Sequence, residues 1–115
     1  MADSPIDKDA LFELVDEDPE FLGSLVDTFL RDCTAYMDDI RTAVEKGDAE
    51  ALRREAHGLK GASGNMQAES TEDAARRLED IGRSGDLEQA PEALRELEEE
   101  VDRLIPALEA LVEEV

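Results

Sequence analysis

The sequence predicts an all-α protein: an up-and-down antiparallel four-helix bundle with a short extra N-terminal helix. Three observations carry this expectation. Apolar residues recur three or four positions apart along nearly the whole chain, which is the spacing of one helix face. The alternating pattern of strands is nearly absent. The breaks between periodic segments are short and rich in Gly, Asp and Pro, so successive helices should turn back on one another. The 115 residues are the usual size of one domain, taken here as 1–115. Hydrophobic residues make up 41% and aromatics only 3%, so one core can be buried and it must be aliphatic.

The short helix is expected over about residues 7–15, with Leu11, Leu14 and Val15 apolar. In "DEDPEF", Asp18 is placed to cap the next helix and Pro19 to take its first position, where an N–H has no helical partner to lose. A long stripe follows: Leu22, Leu25, Val26, Phe29, Cys33, Tyr36, Met37, Ile40 and Val44. Gly47 in "EKGD" suits the left-handed position after a helix end, and Asp48 can cap the third helix. That helix carries "AHGLKGASGNMQA", residues 56–68. A fourth is expected from about Ser70–Thr71 to about Ile81, after which "GRSGD", with two glycines, punctuates the chain. The last helix should start near Ala90–Pro91. Leu94, Leu97, Val101, Leu104, Leu108, Leu111 and Val115 form a bundle seam along it. Pro106 lies inside that seam and lacks an amide donor, so the helix is expected to be kinked or split near Arg103–Ile105.

There are 32 acidic and 12 basic residues, a net charge of -20. Nucleic acid and acidic membrane surfaces would be repelled, and no basic stripe compensates. Such acidity fits solubility, steering of a positively charged partner, or a salty cytoplasm. Cys33 is the single cysteine, so no internal disulfide can form, and it reads as a small core residue in a reducing compartment. "MADSPIDKDA" has no apolar signal core, and no apolar run reaches membrane-spanning length. The expectation is a soluble cytoplasmic monomer, and Met1 suggests a free-standing chain.

His57 is the only histidine. At about 100° of rotation per residue, Leu52, Ala56, Leu59, Ser63 and Met66 gather on the far side of its helix as the buried stripe. Arg53, Arg54, Lys60, Gly61 and Gly64 lie on the histidine side. His57 should therefore project to solvent within a local basic patch. Gly61 stands one turn away on that exposed face, and an interior glycine costs about 1 kcal/mol of helix stability. Gly64 repeats the cost. Both glycines read as clearance that lets another surface approach the ring, and Lys60 is near enough to share a ligand with it. A lone histidine without cysteine partners lacks the spacing of a zinc site. A carboxylate-bridged di-iron bundle would need Glu-x-x-His, and position 54 is Arg54. No nucleophile-elbow motif appears, and Ser63 faces the core, so no metal and no hydrolytic triad is expected.

At these residues the chain resembles the histidine-containing phosphotransfer (HPt) domains of bacterial two-component phosphorelays. The family pattern runs His-x-Leu-Lys-Gly, two small residues, any residue, Asn/Ser/Thr, a hydrophobic residue, Gly, Ala. Here it stands as His57, Leu59, Lys60, Gly61, Ala62, Ser63, Asn65, Met66 and Ala68. "ALFELVDEDPEFLGSLVDTFLRD", "KGDAEALRREAHGLKG" and "AARRLEDIGRSGDL" look like the same family. The one departure is Gln67 where the family has glycine, a residue expected to ease the helix end or a close packing there.

The resemblance implies that His57 takes a phosphoryl group on Nε2 from one receiver domain, of a response regulator or hybrid histidine kinase, and yields it to another. Lys60 would neutralise phosphoryl oxygens, with weaker support from Arg53 and Arg54. By the same resemblance Glu79 matches a glutamate of chemotaxis-type members that bonds the other ring nitrogen; otherwise it would be a surface residue paired with Arg76 or Arg83. Docking should use Gly61 and Gly64 together with Leu11, Phe12 and Leu14 of the short helix, residues that could equally cap the bundle end. No cofactor is expected, because Mg2+ would sit in the partner's receiver domain. The chain would then be a phosphocarrier rather than an enzyme. The alternative is a non-catalytic helical adaptor that binds receivers without chemistry; the retained His57, Lys60 and Gly61 argue against it.

Overall fold

The helix ends sit where capping chemistry puts them. The computed structural model describes residues 4–114, so Met1 and the seam residue Val115 lie outside the described residues. Five helices follow in order: α1 (Lys8–Leu14), α2 (Pro19–Lys46), α3 (Ala49–Asn65), α4 (Glu69–Ser84) and α5 (Ala90–Glu114). Among the described residues there is no strand. The Asp7 carboxylate accepts from the Ala10 N–H at the start of α1. Asp18 accepts from the N–H groups of Glu20 and Phe21 ahead of α2, with Pro19 in the first position. Gly47 takes the left-handed φ of 68° after α2, and Asp48 caps α3 through the Ala51 N–H. Each such cap contributes about 1 kcal/mol.

α2 packs against α3 and α5, and α4 packs against the same two, which closes the four long helices into a ring around the core. Leu22, Phe29 and Ile40 of α2, Leu52 and Leu59 of α3, Leu78 of α4, and Leu97, Leu104 and Leu108 of α5 are all buried there. Each fully buried side chain of this kind contributes about 1.5–3 kcal/mol. Cys33 is part of this core, and burial pushes its thiol pKa up to about 11. α1 covers the end of the bundle where α3 turns into α4. The Asp7 N–H donates to the Gln67 carbonyl at 3.0 Å, and Lys8 pairs with Glu114 at 3.3 Å. Ile6, Leu11 and Val15 are buried beneath it.

Four expectations are corrected. α4 covers Glu69–Ser84 rather than about 70–81, and Ser70 and Thr71 lie inside its first turn instead of ahead of it. The turn that closes α3 leads straight into Ala68, whose carbonyl receives the first helical bond from Glu72, so no loop residue is left to act as a side-chain cap. Gly82 does not break the helix. A Cβ there would lie 2.6 Å from the Arg53 backbone nitrogen and 2.9 Å from the Ala49 carbonyl oxygen, so its lack of a side chain serves close packing of α4 on α3. Gly85, at φ 80°, is the residue that ends α4. At the third position, α5 continues through Pro106 as one helix, so it is not split there. Pro106 is exposed, which turns the carbonyl it leaves unpaired toward water, while Leu104 and Leu108 on either side stay buried. Finally, the seam of α5 begins with the buried Ala90 and Ala93, and Leu94 sits half-buried at its edge. No helix among the described residues is long and apolar enough to cross a membrane.

Candidate functional site

Helix periodicity orients His57. Leu52, Ala56, Leu59 and Ser63 face the bundle and are fully buried, which turns the His57 side chain outward, 62% exposed. On α4 the buried stripe is Thr71, Ala75, Leu78 and Gly82. Glu79 lies at the edge of that stripe, on the α3 side. The backbone contact at Gly82, one turn further along, holds the two helices close, and Glu79 is left only 2% exposed.

A buried carboxylate is costly unless its oxygens find charged or hydrogen-bonded partners. Glu79 finds three. Lys60 Nζ lies 2.7 Å from Oε1, His57 Nδ1 lies 2.7 Å from Oε2, and Arg83 Nη2 lies 3.0 Å from Oε2. The Lys60 hydrogen bond, and secondarily that of His57, outweighs the opposing effect of burial and holds the Glu79 carboxyl down to about 2, from an ordinary 4.5. At neutral pH Glu79 is therefore ionised and can only accept. His57 Nδ1 must then carry the proton and donate it, and in the neutral ring the free lone pair falls on Nε2. The geometry thus yields an exposed imidazole with one nitrogen held from behind and the other open for nucleophilic attack.

The remaining residues of interest fall into three groups. Lys60 stands beside the histidine, three-quarters buried, with its ammonium on Glu79. Arg53 is bonded to Glu50 and Arg54 to Glu55, so the basic patch is largely matched by acids of its own helix. Arg76 is paired with Glu72 and Asp73, and of the two arginines weighed as partners for Glu79 only Arg83 takes that place. A Cβ at Gly61 would meet nothing within 4 Å, which leaves open space beside the ring. Gly64 differs: a Cβ there would lie 3.0 Å from a carboxylate oxygen of Glu72, so this glycine accommodates α4 rather than open surface. Leu11 is fully buried and cannot dock a partner; it caps the bundle end, and Phe12 packs half-buried against the core. α1 has only seven residues, too few for periodicity to choose its buried face. Its exposed apolar residue is Leu14, and Phe21 at the start of α2 is similarly exposed.

Arg83, weighed in the sequence only as a surface partner of Glu79, joins the site through that buried residue at i,i+4 spacing. The role of Gly58 escaped the sequence reading. Gly58, next to His57, leaves room for Tyr36 of α2: a Cβ there would lie 2.5 Å from the Tyr36 ring. Gln67 adopts φ 58°. The Gln67 N–H bonds the Gly64 carbonyl and the Ala68 N–H bonds the Ser63 carbonyl, the paired bonds of a Schellman turn. That left-handed position accounts for a glycine preference there, and here glutamine holds it under strain.

Two open surface grooves, one near Gly64, Glu72 and Arg76 and the other near Arg54 and Glu55, include neither His57, Lys60 nor Glu79. The imidazole stands on an open face.

Comparison with known proteins identifies relatives of the whole fold. Residues 24–107 match the model of the Hpt domain. The phosphorelay intermediate protein rdeA of Dictyostelium discoideum is 24% identical over 102 residues, which cover 89% of this chain. The chain spans only 40% of the length of that curated relative. Histidine-containing phosphotransfer protein B from Pseudomonas aeruginosa has a crystal structure similar to this fold, with a TM-score of 0.87 and 28% identity over 99% of both chains.

Proposed function

The chain belongs to the Hpt-domain family, and from that membership we propose that it carries a phosphoryl group on His57 between aspartates of receiver domains in a two-component phosphorelay. The observation that carries the reading is the 2.7 Å contact of His57 Nδ1 with a buried, ionised Glu79, which leaves Nε2 exposed with its lone pair. The lone pair attacks the phosphorus of an aspartyl phosphate. A P–N bond forms as the P–O bond breaks, and the aspartate carboxylate leaves with the electron pair. The positive charge gained by the ring rests on Nδ1–H, against the Glu79 carboxylate. Transfer to the next aspartate reverses these steps.

Lys60 is placed to neutralise phosphoryl oxygens. The partner's receiver domain supplies Mg2+ and the in-line geometry, so this chain is a carrier and not itself an enzyme. The open space at Gly61 lets that receiver approach, and the exposed Leu14 and Phe21 with the half-buried Phe12 offer apolar surface toward the α1 end. Residues 1–115 act as one cytoplasmic, monomeric domain. The names of the two relatives, a phosphorelay intermediate and a phosphotransfer protein, support the same reading.

Incubation with a phosphorylated receiver should place an acid-labile, base-stable label on the chain, and His57→Gln should abolish it with helicity intact. A label that persists in that variant overturns the proposal. Receiver binding without any transfer would return the chain to the adaptor class.

A further inference from the structure

At rest Lys60 is committed to Glu79: its ammonium lies 2.7 Å from Oε1 and its side chain is 25% exposed. A phosphoryl group on Nε2 of His57 would draw that ammonium outward, because the phosphoryl oxygens bring new negative charge beside an existing carboxylate. The departure leaves Oε1 of Glu79 without its lysine. Glu79 is only 2% exposed in the resting arrangement, so its hydration is poor. A buried carboxylate stranded in this way would oppose the movement of Lys60 and so oppose phosphorylation.

The molecule holds a second cation for this carboxylate. Arg83 already donates from Nη2 to Glu79 Oε2 at 3.0 Å, while its Nη1 bonds Asp80 at 2.9 Å. Asp80 is 63% exposed and can be hydrated, so releasing it costs little. A guanidinium fork matches both oxygens of one carboxylate. Arg53 also lies within the field of Glu79 but is bonded twice to Glu50. We propose that Arg83 is a positioning residue for phosphotransfer: it keeps the buried Glu79 carboxylate paired when Lys60 turns from Glu79 to the phosphoryl group on His57. The inference rests on the phosphocarrier reading.

The test uses the full chain and potassium phosphoramidate, a small donor that needs no partner. Its P–N bond breaks and ammonia leaves as the bond to His57 Nε2 forms. The rate is read by 31P NMR, and folding of each variant is checked by helicity. Arg83→Gln is expected to slow phosphorylation about tenfold. Lys60→Gln should slow it at least as much, and the double variant should be no slower than Lys60→Gln alone, because Arg83 acts by freeing Lys60. Arg83→Lys, which keeps the charge but not the fork, should recover only part of the rate. Arg76→Gln, the same charge change one turn before Glu79 on α4, should react like the wild type. A wild-type rate in Arg83→Gln, or losses that multiply in the double variant, would overturn the role of Arg83 while leaving the carrier intact. Failure of the wild type to be phosphorylated on His57 would instead sink the carrier reading, and this inference with it.

Discussion

The α3–α4 side of the bundle and the α2–α5 side are built on opposite principles. Where α2 meets α5, the interior is apolar, with Phe29 and Ile40 on one helix and Leu97, Leu104 and Leu108 on the other. The charges that cross over, Arg41 with Glu98 at 2.8 Å, stay at the surface. Where α3 meets α4, a carboxylate is drawn inside and three cationic or polar partners converge on it. The glycine at 82 lets the backbones touch. Apolar burial is forgiving of small shifts in helix spacing, whereas a buried carboxylate works only while its partners remain within hydrogen-bond reach. Both sides share the apolar core, Leu52, Leu59 and Leu78 included, and only the α3–α4 side adds an oriented imidazole to it.

The largest effect that would sharpen this contrast is Leu104→Ala, expected to lower stability by about 3 kcal/mol through the cavity it leaves. Chemical denaturation measures the loss, and His57 should still be phosphorylated at the wild-type rate while the chain is folded. Equal damage to rate and stability would mean that the two sides are not separable.

Next is Gly82→Ala. Its methyl would press on the Arg53 and Ala49 backbone, and overpacking of this kind costs about 1–3 kcal/mol. In this case the rate should fall with stability, and the 15N shifts of His57 should move, because α4 carries Glu79 away from Nδ1. Unchanged imidazole shifts would show that the spacing of α3 and α4 does not set the contact.

A pH-dependent effect comes from the acid titration of Glu79. Its folded pKa, about 2, lies below the ordinary 4.5, so its contribution to stability is fully present above pH 4.5 and is lost as pH falls toward 2. The stability difference between wild type and Glu79→Gln should therefore shrink across that window, a comparison in which titration of the many surface acids cancels. A difference independent of pH would mean that Glu79 is not held ionised by its partners.

The smallest is Gln67→Gly, expected to raise stability by about 1 kcal/mol by relieving the left-handed backbone at the end of α3. The melting temperature should rise with no change in phosphorylation rate, since this turn belongs to the bundle end and not to the imidazole.

Much of this was legible along the chain. Asp18 with Pro19, and Gly47 with Asp48, announce helix ends by chemistry confined to a few neighbouring residues, and the structure places the ends there. The outward direction of His57 also follows from its own helix, because rotation per residue is a local property. The glycines were harder to read. Gly61 stands in open space, Gly64 accommodates Glu72, Gly58 accommodates Tyr36 and Gly82 touches another backbone, yet in sequence each is the same missing side chain. Their partners come from other helices, so nothing near them in the chain distinguishes them. Leu11 and Leu14 show the same limit on a short helix: one is buried and the other exposed, and seven residues are too few turns for periodicity to tell them apart.

By itself, then, the sequence determined four long helices, the caps of α2 and α3, an aliphatic core and a histidine facing water, because each depends on backbone geometry and neighbours within a few turns. Only the tertiary structure decided that Glu79 is buried while the adjacent Asp80 is exposed, and that Lys60 and Arg83 meet on one carboxylate. The fate of a charged residue at the edge of a stripe depends on how closely the next helix approaches and what it presents. That distance is set by packing between helices, here through Gly82, and hydrophobic periodicity does not encode it.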